Sequence, residues 1–294
     1  MSLTETEFHI KRLCIIGVGL IGGSLARALR EAGAVDEIVG SGRQVESLQT
    51  GCDLGVIDRF ETDPAQAVVG ADMVVIAVPI GAMEPVLTRI APVLDEQSVL
   101  TDVGSVKGEV VGIVRQVFGH TPARFVPGHP IAGTERSGVE ASFATLFRNR
   151  RVILTPLVET DVDAHHRVRA MWQAAGAEVI DTGVRHHDEV LAATSHLPHL
   201  LAYCLVDTLA RLDDRAEIFK FAAGGFRDFT RIASSDPKMW HDICLSNRDQ
   251  LLALTELFSR DLAQLAEAVK AGDSEAIMKV FQRAKHARDN LYLD

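Results

Sequence analysis

Apolar positions change rhythm part-way along the chain. Through about residue 181, short β-branched runs alternate with stretches of helical spacing. Strands are predicted at 13–16, 37–39, 73–78, 99–103, 124–126, 152–155 and 178–180. Helices are predicted at 20–31, before Gly33, and at 162–175, before Gly176; glycine just past a helix is the expected left-handed stop. Such alternation implies a parallel sheet with helices on both faces. Beyond Asp181 the strand pattern ceases. Residues 186–212 are apolar with helical spacing, and 239–270 and 274–289 are long amphipathic helices rich in Leu and Ala. The predicted organisation is therefore an α/β domain over 1–181 and an all-helical domain over 182–294.

Composition changes this picture in one respect, the choice of partner. A chain of 294 residues suits about two domains, and 47% hydrophobic with 24% charged residues is a globular balance. The formal net charge of −10 argues against nucleic acid or an anionic membrane as partner and leaves a small molecule. An anionic substrate would need locally placed cations. The N-terminus lacks a basic segment followed by an apolar one, and the apolar run 73–80 is far short of a membrane span. Cys14, Cys52, Cys204 and Cys244 are scattered, so neither disulfides nor a zinc site is expected. These features point to a cytoplasmic protein.

The first predicted strand runs into GVGLIG. Gly17 permits a tight turn, Gly19 lets the backbone approach a pyrophosphate, and Gly22 allows close helix–strand packing. Leu20 and Ile21 open the helix whose N-terminus would face the phosphates. The pattern predicts a Rossmann-type, doubly wound nucleotide domain. After the second strand the chain reads IVGSGRQ, with Ser41 and Arg43 where NAD enzymes usually carry a carboxylate. A guanidinium there could pair with a 2′-phosphate, which favours NADP over NAD.

Further on come DVGSVK from Asp102, VPGHPIAGTERSG from Val126, SHLPH from Ser195, FRDFTRIA from Phe226 and DPKMW from Asp236. In that order behind GVGLIGGS, the set resembles the prephenate/arogenate dehydrogenase (TyrA) family across nearly the whole chain. The length leaves no room for a fused chorismate mutase or a C-terminal regulatory domain, which implies the monofunctional form. The resemblance implies oxidative decarboxylation of prephenate or arogenate with NAD(P)+ to 4-hydroxyphenylpyruvate or tyrosine, in tyrosine biosynthesis. It also implies a homodimer built through the helical domain, in keeping with that domain's surplus apolar faces.

The residue roles follow from the same resemblance. His129 corresponds to the catalytic base, and an imidazole pKa near 6.5 suits that task. Ser105, at the end of a strand on the cofactor side, corresponds to a serine that hydrogen-bonds and orients this histidine, which itself lies in a segment, 126–138, read as a rigid loop. Arg231 matches a carboxylate-binding arginine, a role to which a planar guanidinium is suited. His199, with neighbours Ser195 and His196, matches a residue near the substrate side chain. Thr134 and Glu135 match a gating pair, and Trp240 a tryptophan closing the pocket. His196 and His199 could share a helix face as metal ligands, but no cysteine or carboxylate supports them, so no metal is expected. Lys107 receives no role, and His165, His166, His186 and His187 read as solvated.

Rival readings remain open at this level. A β-hydroxyacid dehydrogenase joins the same two kinds of domain but relies on a lysine in the helical one. A non-catalytic NAD(P) sensor would tolerate loss of His129. A Ser/His hydrolase lacks its G-x-S-x-G elbow.

Overall fold

The computed structural model describes residues 8–290 apart from Glu135. The chain separates into two compact units, Met1–Asn247 and Arg248–Asp294. The first begins with β1 (Ile10–Ile16), α1 (Leu20–Glu31), β2 (Val35–Ser41), α2 (Val45–Asp53), β3 (Arg59–Glu61), α3 (Pro64–Ala67) and β4 (Met73–Ile76). It continues through α4 (Met83–Ile90), β5 (Val99–Asp102), α5 (Lys107–Phe118), β6 (Phe125–Val126), β7 (Gly128–Pro130), β8 (Arg151–Leu154), α6 (Val162–Ala174) and β9 (Glu178–Asp181). Five helices complete it: α7 (Val184–Leu191), α8 (Leu197–Ala210), α9 (Arg215–Lys220), α10 (Gly224–Thr230) and α11 (Pro237–Ser246).

Six strands form one parallel sheet in the order β3-β2-β1-β4-β5-β6. Alternation along each strand feeds two cores. Leu13 and Ile15 of β1 join Leu25 and Leu29 of α1 and Met171 and Trp172 of α6 on one side. Cys14 and Ile16 join Met83 and Leu87 of α4 and Val110 and Val114 of α5 on the other. Each fully buried side chain of this size stabilises the fold by about 1.5–3 kcal/mol. With both faces covered, the strands have no polar side, which is why they read as continuous apolar runs. The strand order reverses between β1 and β4, and such a switch point opens a crevice at the carboxyl ends of the strands.

Two strand assignments differ from the sequence reading. Residues 152–155 and 178–180 do form strands, but in a second, three-stranded sheet of order β7-β8-β9. The stretch around His129, read as loop, is partly strand: β7 pairs antiparallel to β8, with His129 opposite Ile153. Gly128 and Pro130 disguised it. Proline lacks a ladder donor but is tolerated on an edge strand, and β7 is an edge.

The helical part of the first unit does not stand apart. Trp240 and Ile243 of α11 belong to the same core as β4 and β5. Between α7 and α8 the backbone makes one π-helical turn over Ala192–His196, which shifts the phase of the side chains that follow, a feature common at functional sites. The second unit comprises α12 (Arg248–Ala271) and α13 (Ser274–Asn290). Both carry exposed apolar side chains, including Leu252, Leu257 and Leu262 on α12 and Met278 and Phe281 on α13. Among the described residues, no helix is long and apolar enough to cross a membrane.

Candidate active site

The glycine loop lies at the switch point. Gly17 has φ +104°, and a Cβ there would sit 2.3 Å from the Ala77 carbonyl oxygen, so only glycine fits the turn. A Cβ on Gly22 would sit 2.3 Å from the Gly17 carbonyl, whereas Gly19 faces open space. Gly19 is the N-cap of α1, with no side-chain cap and no acidic residue in the first turn. Orphan N–H groups at an uncapped helix start, beside an open backbone, suit a dinucleotide pyrophosphate. Leu20 and Ile21 are partly buried in that first turn. At the end of β2, Ser41 is buried and its hydroxyl has no hydrogen-bond partner among the described residues. Arg43 is exposed and makes no hydrogen bond or ion pair among the described residues.

Beyond the carboxyl end of β5, four polar side chains from three elements assemble around Gly128 and His129. Asp102, the last residue of β5, accepts from the backbone N–H groups of Gly104 at 2.7 Å and Gly128 at 3.2 Å. Fully buried Lys107 pairs with Asp102, and its ammonium also donates to the Gly128 carbonyl at 2.5 Å. Strand β7 is thus pinned at both the N–H and the carbonyl of Gly128, next to His129. Nδ1 of His129 lies 2.9 Å from Nε2 of His187, and Nδ1 of His187 lies 2.8 Å from Asp188 Oδ1. Asp188 in turn accepts from the Lys107 and Gly108 N–H groups, both at 2.8 Å, at the start of α5.

This corrects two expectations. His187 is not solvated; it is 1% exposed and bonded on both nitrogens. Ser105 is half-buried in the β5–α5 connection, and among the described residues its hydroxyl makes no hydrogen bond to His129. The orienting contact on His129 comes from His187. No local signal separated His187 from its surface neighbour His186, because the difference is which face of α7 meets α5.

Burial, helped by the charges of His187, Lys107 and His196, holds the His129 pKa well below its usual value. Burial also lowers His187, against the pull of the Asp188 carboxylate, and pushes His196 down to about 4. For Asp188, burial works upward, but the His187 bond and the two backbone donors outweigh it and hold the carboxyl low. His129 is therefore neutral at physiological pH.

A second group lies along α8 and α11. His199 stacks on Trp240 with ring centroids 3.5 Å apart and planes at 17°. Its Nδ1 donates to the Ser195 carbonyl at 2.8 Å. Arg231, exposed in the 3-10 turn Arg231–Ser234, is close enough for its charge to lower the His199 pKa, after the larger effect of burial. Trp240 is buried, yet its indole N–H has no partner among the described residues. Asn247 ties the two groups together, its amide reaching the Asp188 carbonyl at 2.9 Å and His196 Nδ1 at 3.1 Å. Thr134 is exposed and accepts from the Arg136 N–H at 3.2 Å. Glu135 lies outside the described residues. Among those residues, no cluster of three or more His, Cys, Asp or Glu could hold a metal ion.

Known proteins decide what this arrangement belongs to. The prephenate dehydrogenase nucleotide-binding domain matches residues 25–181, and the prephenate dehydrogenase dimerization domain matches 184–283. The chain belongs to the prephenate dehydrogenase family. It is 36% identical over 289 residues to the cyclohexadienyl dehydrogenase of Zymomonas mobilis, covering 97% of each chain. It is 36% identical over 285 residues to the prephenate dehydrogenase of Bacillus subtilis, covering 96% of this chain and 76% of that one. The crystal structure of prephenate dehydrogenase from A. aeolicus, in complex with hydroxyphenyl propionate and NAD+, superposes with a TM-score of 0.89 at 36% identity, covering 97% and 100%. As a member of the prephenate dehydrogenase family, the chain is an oxidoreductase with a nucleotide-binding fold that fits a nicotinamide cofactor.

Proposed function

We propose that this chain oxidises the ring hydroxyl carbon of prephenate or arogenate, with His129 as base and NADP+ as the preferred acceptor. The bound nicotinamide accepts the hydride. His129 takes the hydroxyl proton as the C–H bond breaks. The C–COO− bond then gives its electron pair to the ring, CO2 leaves, and the proton returns to the phenolic oxygen. Aromatisation drives the decarboxylation, so no metal is required.

The observation that carries this reading is His129 itself, buried, neutral, and set on a strand pinned beside the carboxyl end of β5. Arg231 supplies the local cation that an acidic chain needs for the substrate carboxylate. His199, Ser195 and Trp240 form the pocket around it, with Thr134 and Glu135 as the gate and Ser105 as a polar contact from the cofactor side. Residues 182–294 supply the substrate and dimer surfaces.

The cofactor preference rests on Arg43, on the absence of a carboxylate in IVGSGRQ, and on the Ser41 hydroxyl, which has no partner among the described residues. Initial rates with prephenate or arogenate, each with NAD+ or NADP+, test the reading. The expected result is turnover with an NADP+ preference, and in Arg43→Ala a rise of about tenfold or more in KM for NADP+, the scale of one lost charge-assisted contact. An NAD+ preference untouched by Arg43→Ala would remove the NADP reading, and no turnover with any pair would remove the enzyme reading.

A homodimer is supported by the dimerization-domain match and by the exposed Leu257, Leu262 and Phe281. Sedimentation velocity is expected to give a species of about twice 31.9 kDa. A monomer at all concentrations would defeat it.

A further inference from the structure

The contacts of His129 specify which of its two nitrogens is basic. Asp188 is the fixed end of the chain. Its Oδ1 accepts from the Lys107 N–H and from His187 Nδ1, each at 2.8 Å, and its Oδ2 from the Gly108 N–H at 2.8 Å. A carboxylate held by that many donors is ionised and can only accept. His187 Nδ1 must therefore carry a proton. In the neutral ring this leaves Nε2 as an acceptor. That atom faces His129 Nδ1 at 2.9 Å, so the proton between the two rings belongs to His129. One nitrogen remains: His129 Nε2, which makes no hydrogen bond among the described residues.

We propose that His187 and Asp188 act as a positioning relay that locks His129 in its Nδ1–H tautomer, makes Nε2 the basic atom, and stabilises the imidazolium formed there. This rests on His129 being the base of the reaction above. When Nε2 takes the hydroxyl proton, Nδ1–H stays bonded to His187, whose far side meets the Asp188 anion. The proton leaves again from Nε2 as the ring becomes aromatic, so the relay passes charge stabilisation and needs no net proton transfer.

The other titratable groups around His187 are Lys107 from α5, Asp102 from β5 and His196 from the π-helical turn. Lys107 and Asp102 pair with each other and together contribute little net charge. His196 is neutral above a pKa of about 4. Asp188 is thus the anion that offsets the transient charge. The arrangement follows the same logic as an acid that orients a catalytic imidazole in hydrolases, with a second imidazole interposed. The interposed ring lengthens the reach from α7 to β7 without burying a carboxylate against the substrate.

The test begins with 15N chemical shifts of the histidine rings in the full-length protein at pH 7.5, assigned by comparison with His129→Gln and His187→Gln. The expected spectrum has His129 protonated at Nδ1 and bare at Nε2. The opposite tautomer overturns the relay, and the spectrum reads it whether or not the protein turns over. The second arm is kinetic. His187→Leu is expected to lower kcat about 10- to 100-fold with little change in KM, whereas His187→Gln, whose carbonyl can still accept from Nδ1–H, recovers most of that loss. In Asp188→Asn the acid limb of the kcat profile is expected to move to lower pH, because the imidazolium loses its anion. Equal impairment of the Leu and Gln variants with an unmoved acid limb would reduce His187 to a packing residue and overturn the proposal. Full turnover in His129→Gln would remove the base reading, while the parent tautomer separates that outcome from failure of the relay.

Discussion

Replacing His129 by glutamine is expected to lower kcat by about 10³-fold, within the 10²–10⁴ range typical of a lost general base. The amide keeps much of the ring's bulk and can still bond to His187, so the pinned strand around Gly128 should survive. What it removes is a lone pair able to accept the hydroxyl proton as the hydride departs. The KM values for substrate and nucleotide should stay within a factor of about three, because the interaction is made in the transition state rather than on binding. Steady-state kinetics with circular dichroism as a folding control checks this. A loss confined to KM would mean that His129 binds the substrate without acting on it.

Lowering the pH from 7.5 to 5.5 is expected to remove up to about 4 kcal/mol of folding stability, a large share of the 5–15 kcal/mol that domains possess. Three buried histidines, His129, His187 and His196, have folded pKa values below the ordinary one. Below pH 6.5 the unfolded chain takes up protons that the folded chain refuses. Each such group then costs up to about 1.4 kcal/mol per pH unit, and the loss continues until its folded pKa is reached. For His196 that is about 4. The depressed carboxyl of Asp188 adds its own loss only at lower pH, where the unfolded carboxyl begins to protonate. Urea unfolding midpoints across this range provide the measurement. Stability that is flat or rises toward pH 5.5 would show that the histidines become charged in the fold at no cost, against the burial argument.

Lys107 illustrates what no reading of the chain could supply. Its ammonium is buried with Asp102 and bonded to the Gly128 carbonyl, yet SVK at the start of a helix looks like any solvated first turn. His187, Asp188 and Asn247 are similar. Each acquires its role from a neighbour between 51 and 81 residues away along the chain: His129 for His187, both His196 and Asp188 for Asn247, and the backbone of α5 for Asp188. Separations of that size leave no periodicity to read, and a buried polar side chain is recognised only by the partner that satisfies it.

The sequence by itself determined the parts whose physics is local. Short continuous runs of β-branched and other apolar residues specified the strands of the parallel sheet, glycines that alone tolerate positive φ or a 2.3 Å approach specified the nucleotide loop, and the ordered motifs specified the family. The tertiary structure alone decided which elements share a sheet, so that β7 and β8 form a separate one. It also decided which histidine is buried and which is not, and which nitrogen of His129 is left to act. Those outcomes depend on desolvation and on the direction of hydrogen bonds between distant segments, and both exist only once the helices have packed onto the sheet.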